Sequence, residues 1–244
     1  MITLSITTAP TAATVTVFPT GSDANLLLSM YPPPRRLSWL SDVINTARCG
    51  QNSIEMIGDS MSQHSVCVFC GSRHGDDPAF KAAATDLGTR LATNDWRLVY
   101  GAGDVGLMGA VANAAQAAGG DTFGVIPVHL LQWEVGKTDL TRFVVTENMH
   151  ERKKVMFMNC DAVVVLPGGA GSLDELFEVL TWRQLGLHQK PVILLNTNGY
   201  WDPLTALLDH VVARGFAEES LLGYVETVDD VDGALDVLRR SLTA

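Results

Sequence analysis

A chain of 244 residues with 47% hydrophobic and 18% charged residues is long enough for one α/β domain with a sizeable core, and too apolar to be disordered. Seventeen basic against twenty-seven acidic residues leave a formal charge of −10, a field that repels a nucleic-acid backbone and argues against a polymer partner of that kind. No apolar run reaches the roughly 18 residues that cross a bilayer, and the N-terminus lacks a charged start followed by an apolar block, so a soluble cytoplasmic protein without a membrane partner is expected.

In chain order, residues 1–62 are Thr- and Ala-rich, then carry Pro32-Pro33-Pro34-Arg35-Arg36, and show no clear alternation of strand and helix. They read as an extension, either a flexible regulatory tail or residue from a start codon upstream of Met56 or Met61. The regular pattern fills 63–244. Val66–Cys70 is a buried strand with Gly71-Ser72 at its carboxyl end, Phe80–Ala92 a helix, and Arg97–Tyr100 a second strand. Gly101 to Gly109 is a glycine-rich turn into an Ala-rich helix that stops at Gly119-Gly120. Asp121–Ile126 and Phe143–Val145 read as strands, and Asn148 to Glu151 as the capped start of a helix carrying Arg152 and Lys153. Pro191–Leu195 and Tyr224–Val228 are further strands, Trp201–Arg214 and Val231–Leu242 further helices. Alternation of this kind implies α/β architecture: a Rossmann-like, doubly wound parallel sheet in a single domain with an N-terminal extension. Cys67 and Cys70 sit in a strand, away from any helix start, and read as buried core thiols.

The most informative stretch runs from Asp161 to Gly186. A β-branched run, Asp161–Leu166, ends at Pro167, and Gly168, Gly169 and Gly171 form a turn where main chain can approach a ligand closely. Helical periodicity follows from Leu173. The first N–H groups of such a helix lack partners and its dipole favours an anion, so a phosphate is the natural guest, with the Ser172 hydroxyl at the same point. Ser172-Leu-Asp-Glu175 also fits a capping box, and that role is compatible with Glu175 serving a ligand.

Other chemistry is weaker. Gly101-Ala-Gly103-Asp-Val-Gly106 has the spacing of a dinucleotide fingerprint, which makes an NAD enzyme a rival, but the expected acidic residue at the end of the next strand is missing. Met149, Arg152 and Lys153 share a helix face, either solvated or holding an anion. Asp174 and Glu175 point about 100° apart on a helix, so only one is expected to act. His129, His150 and His188 show no metal-ligand spacing, and no metal is expected.

Together, Phe69-Cys-Gly-Ser72, Tyr100 to Gly109, Gly124-Val-Ile-Pro127, Met149-His-Glu-Arg-Lys153 and Pro167-Gly-Gly-Ala-Gly-Ser-Leu-Asp-Glu175 resemble the Lonely Guy (LOG) family of cytokinin riboside 5′-monophosphate phosphoribohydrolases. The resemblance covers about residues 65 to 240. It implies a homodimer that hydrolyses the N-glycosidic bond of a purine or cytokinin nucleoside 5′-monophosphate to free base and ribose 5-phosphate, without a cofactor. By the same resemblance Arg152 and Glu175 are the catalytic pair. Lys153, Gly169, Gly171, Ser172 and Thr181 are substrate-binding, with Met149 lining the pocket. Ser72, Gly101, Gly103 and Gly168 join them as loop positions expected to converge there. The alternatives are an AMP-preferring housekeeping nucleosidase and a nucleotide or cofactor carrier that does no hydrolysis.

Overall fold

The computed structural model describes residues 2–8, 11–17, 64–131, 137 and 139–242, and these belong to one compact unit. Among the described residues nine strands form one sheet: β1 (Ile2–Thr8), β2 (Thr11–Val17), β3 (His64–Phe69), β4 (Trp96–Tyr100), β5 (Thr122–Pro127), β6 (Arg142–Thr146), β7 (Ala162–Val165), β8 (Val192–Leu195) and β9 (Glu226–Val228). Their order across the sheet is β1-β2-β6-β5-β4-β3-β7-β8-β9. The seven strands from β3 to β9 are parallel, as the alternating pattern predicts. β1 and β2 lie in the Thr- and Ala-rich start of the expected extension, where the sequence shows no clear alternation of strand and helix. They form an antiparallel hairpin whose second strand joins β6 in parallel register. An added edge strand draws its hydrogen bonds from a partner's backbone, so it need not carry the buried run that marks a central strand. Residues 18–62 of the expected extension, with Met56 and Met61, lie outside the described residues.

The helices are α1 (Pro78–Thr93), α2 (Gly106–Ala117), α3 (Val128–Leu131), α4 (Met149–Met158), α5 (Ala170–Gln184), α6 (Asp202–Ala213) and α7 (Val231–Leu242). Local chemistry sets their starts. The Asp77 carboxylate accepts from the Ala79 N–H with Pro78 in the first turn, and the Asn148 side chain accepts from the Glu151 N–H at the predicted start of α4.

Side chains of each central strand alternate between two dry cores. Val66, Val68 and Cys70 join the cluster under α1, α2 and α7, while Cys67 and Phe69 join the cluster under α4 and α5. Both faces of the sheet are therefore buried, which explains why the strands read as continuous apolar runs. Leu176, fully buried between α5 and the sheet, is typical of this packing, and truncating such a leucine to alanine costs about 2–5 kcal/mol.

From β3 the chain winds outward through β4, β5 and β6, then returns on α4 to place β7 on the other side of β3. Helix α1 leaves β3 on one face and α5 leaves β7 on the other. The strand order reverses between β3 and β7, and a crevice opens there beyond the strands' carboxyl ends, the place where this architecture holds ligands. The two loops bordering it are joined directly, the Gly71 N–H donating to the Pro167 carbonyl at 3.0 Å.

Candidate active site

A cavity of about 290 Å³ occupies this crevice. Its walls come from the end of β3 (Cys70, Gly71, Ser72), from Gly101 after β4, from α4 (Met149, Arg152, Met156) and from the start of α5 (Gly169 to Ser172 and Glu175).

Helix α5 begins earlier than its apolar stripe predicts. Gly169 is the N-cap and Ala170 the first helical residue, with the first intrahelical bond running from the Leu173 N–H to the Gly169 carbonyl at 3.1 Å. Ser172 is thus inside the first turn, and the predicted capping box from Ser172 to Glu175 does not form. The glycines extended the helix beyond what periodicity could register. The N–H groups of Ala170, Gly171 and Ser172 precede that first bond and sit at the positive end of the dipole. A Cβ on Gly169 or Gly171 would meet no atom of the described residues within 4 Å, so the space over this turn is open among them.

Glu175 lies one turn further in, 7% exposed and lining the cavity. Its charged partner is Arg152, also 7% exposed, whose Nη2 stands 3.9 Å from Glu175 Oε1. Burial pushes the Glu175 carboxyl up to about 7 and the neighbouring Asp174 and Glu178 add to this, while Arg152 and Lys153 oppose it. Arg152 is sparsely bonded for a buried guanidinium. Its Nη2 donates to the Gly101 carbonyl at 3.4 Å, its Nη1 approaches the Met149 sulfur at 3.7 Å, and its Nε has no partner. A buried cation with donor capacity left over, facing a cavity, is prepared for an anion or a sugar hydroxyl. Gly101 is what admits it, because a Cβ there would overlap the guanidinium.

Several predicted site residues stand elsewhere. Lys153 is buried, but its Nζ donates to Asp174 Oδ2 at 2.8 Å and lies 3.1 Å from Glu178 Oε2, and it does not line the cavity. Burial alone would lower its affinity for a proton, yet those hydrogen bonds hold it above the usual lysine range. Thr181 is exposed about three turns along α5, where its hydroxyl donates to the Phe177 carbonyl at 2.7 Å. Gly103 is buried and off the cavity wall. Gly168 borders a neighbouring hollow of about 420 Å³ that shares Gly71, Ser72 and Gly169 with the first, and its carbonyl accepts from the Tyr200 hydroxyl at 2.7 Å. Asp174 is exposed and paired to Lys153 while Glu175 is buried in the cavity wall, so the two adjacent carboxylates diverge as their helical spacing predicts.

The structure adds wall residues that the sequence reading did not select: Cys70, Met108, Leu130 and Met156. Met156 was discoverable, since Met149, Arg152 and Met156 recur at the spacing of one helix face. Cys70, read as a core thiol, is buried but also touches the cavity, and burial pushes its thiol up so that it stays neutral. Leu130 comes from the four-residue α3, too short for any periodic signal.

The turn read as a dinucleotide fingerprint is closed by protein. Gly106 has φ +59°, the Ser72 and Arg73 backbone fills the space over it, and the Leu107 N–H donates to the Gly71 carbonyl at 3.0 Å. Gly106 is the third glycine of that spacing, the one used for close packing and not for the pyrophosphate, and here the chain's own backbone packs against it.

Comparison with known proteins gives a consistent picture. Residues 108–238 match the family model described as possible lysine decarboxylase. The chain is 48% identical over 153 residues to a probable cytokinin riboside 5′-monophosphate phosphoribohydrolase of Oryza sativa subsp. japonica, a match covering 63% of this chain and 66% of that protein. It is 42% identical over 176 residues to the cytokinin riboside 5′-monophosphate phosphoribohydrolase of Rhodococcoides fascians, covering 72% of this chain and 89% of that one. Among solved structures, the molybdenum cofactor carrier protein of Chlamydomonas superposes with a TM-score of 0.58 at 23% identity, over 74% of this chain and 98% of that one, a likeness of fold.

Proposed function

Because the chain belongs to the family of the cytokinin riboside 5′-monophosphate phosphoribohydrolases, we propose that it hydrolyses the N-glycosidic bond of a purine or cytokinin nucleoside 5′-monophosphate, releasing free base and ribose 5-phosphate. The observation that carries this reading is the buried Glu175–Arg152 pair, 3.9 Å apart, one turn from an open helix N-terminus in the same cavity. Phosphate held by the free N–H groups of α5 and by Ser172 brings the ribose against Glu175. As the bond to the base lengthens, positive charge grows on the sugar ring. An ionised carboxylate beside it lowers the energy of that state more than of the ground state. The same carboxylate, in the ionised form it takes above about pH 7, orients the water that adds to C1′, and Arg152 aims it and opposes the pull of burial toward the protonated form. The neutral Cys70 thiol adds no competing charge.

The family model's description names a different reaction, which would need an aldehyde cofactor carried on a lysine. No lysine lines the cavity among the described residues, so such a group has no anchor there.

Two finer points belong to the same proposal. The exposed Leu185, Leu187 and Met158, beside the half-buried Trp182, support pairing of two copies as a homodimer, to be checked by a solution mass measurement. The unlinked, buried thiols of Cys67, Cys70 and Cys160 suit the reducing cytoplasm.

The deciding experiment is chromatographic separation of products after incubation with AMP and with isopentenyladenosine monophosphate. Free base and ribose 5-phosphate are expected, and the ratio of the two rates separates a cytokinin enzyme from an AMP-preferring nucleosidase. Tight binding of both nucleotides with no base released would make the protein a carrier and end the hydrolase reading.

A further inference from the structure

Arg152 and Lys153 are neighbours on α4, and the helix turns them about 100° apart. Arg152 enters the cavity. Lys153 instead inserts between Asp174 and Glu178, which share one face of α5 on either side of Glu175 in the sequence. Its side chain is 8% exposed, against 60% for Asp174 and 25% for Glu178, so the buried member of this triad is the cation. Without it, two like charges one turn apart would repel each other and add to the field that disfavours ionised Glu175.

We infer that Lys153 is a positioning residue: it does not hold the substrate, but ties α4 to α5 through Asp174 and Glu178, so that Arg152 and Glu175 meet across the cavity with Glu175 able to ionise. This rests on the hydrolase reading above. The charged or titratable groups that bear on Glu175 are Arg152 and Lys153 from α4, Asp174 and Glu178 from α5, and the thiols of Cys67 in β3 and Cys70 just after it. Burial pushes both thiols up, so the balance around Glu175 lies between two cations and two carboxylates. Removing Lys153 tips that balance one way and removing Asp174 tips it the other.

The test uses the full-length protein with Lys153→Met and Asp174→Asn, measuring kcat, equilibrium binding of AMP, the pH profile of kcat/KM, and the titration of the Glu175 carboxyl by carbon-13 NMR. For Lys153→Met, kcat should fall about tenfold through misplacement of the pair while AMP binding stays within about twofold. The acid limb of its profile and the Glu175 titration should both move to higher pH. For Asp174→Asn both should move to lower pH, and because Asp174 is exposed this variant reads out even if Lys153→Met fails to fold. A merely structural lysine would not produce opposite displacements. Loss of AMP binding with kcat preserved in Lys153→Met would make Lys153 a phosphate ligand and overturn the inference. Titrations that stay put in both variants would also overturn it. If the wild-type protein releases no base, the hydrolase reading fails by itself, and the NMR titration still judges the electrostatic role.

Discussion

Two glycine-rich turns face each other across the crevice, and they use glycine for opposite purposes. In the turn after β4, the space over Gly101 is taken by the Arg152 guanidinium and the space over Gly106 by the Ser72–Arg73 backbone. In the turn after β7, nothing among the described residues occupies the space over Gly169 or Gly171. The first turn is consumed in building the site. The second is left open for whatever the site binds. Similar motifs therefore carry different meanings, and the difference lies in what surrounds them.

Substitutions that add one methyl group can break or sharpen this contrast. The largest effect belongs to Gly106→Ala, which meets both a left-handed backbone and a filled space, and should cost about 3 kcal/mol or more of stability. A melting temperature close to wild type would mean the loops over Gly106 can part easily. Next comes Gly101→Ala. The displaced atoms are the far end of a flexible side chain, so the fold should survive while Arg152 is driven out of register, with kcat falling about 10²-fold.

Glu175 offers a comparison within the cavity itself. Its carboxyl holds a proton up to about pH 7, against an ordinary 4.5, so between these values the folded protein binds more protons than the unfolded chain. Stability must then fall as pH rises through that window, by about 3 kcal/mol from this one group. In Glu175→Gln that contribution to the slope should vanish when denaturant unfolding is followed from pH 4.5 to 8. The smallest effect is expected at the open turn. Gly171→Ala should leave stability unchanged or raise it by about 0.5–1 kcal/mol, since no atom is struck and a helical glycine is replaced. Nucleotide binding should nonetheless weaken about tenfold because the methyl enters ligand space. Unchanged affinity would place the phosphate somewhere other than the α5 turn.

The parallel part of the sheet, β3 to β9, was legible in the sequence because strands buried on both faces and helices apolar on one face leave separate periodic marks, which the β1–β2 hairpin does not carry. Glu175 and Arg152 were singled out because the resemblance names them as a catalytic pair, while the glycine turn before Glu175 marks a helix start in its own right. Properties that depend on distant neighbours were harder to read. Lys153 adjoins Arg152 in sequence, and only the packing of α4 on α5 directs it to Asp174 and Glu178 instead of the cavity. The start of α5 was misplaced because glycine and alanine give no apolar stripe, so Ser172 looked like a cap when it lies inside the first turn. Gly103 and Thr181 share motifs with cavity residues but face away from the cavity wall, which spacing alone does not record.

In the proposed reaction one buried carboxylate, Glu175, acts on the sugar while the phosphate is held elsewhere. Measuring kcat and the dissociation constant of AMP for Glu175→Gln side by side tests it most directly. The prediction is a fall in kcat of about 10²-fold or more with the dissociation constant within a few-fold of wild type. Base release at the wild-type rate, or a loss confined to binding, would contradict it.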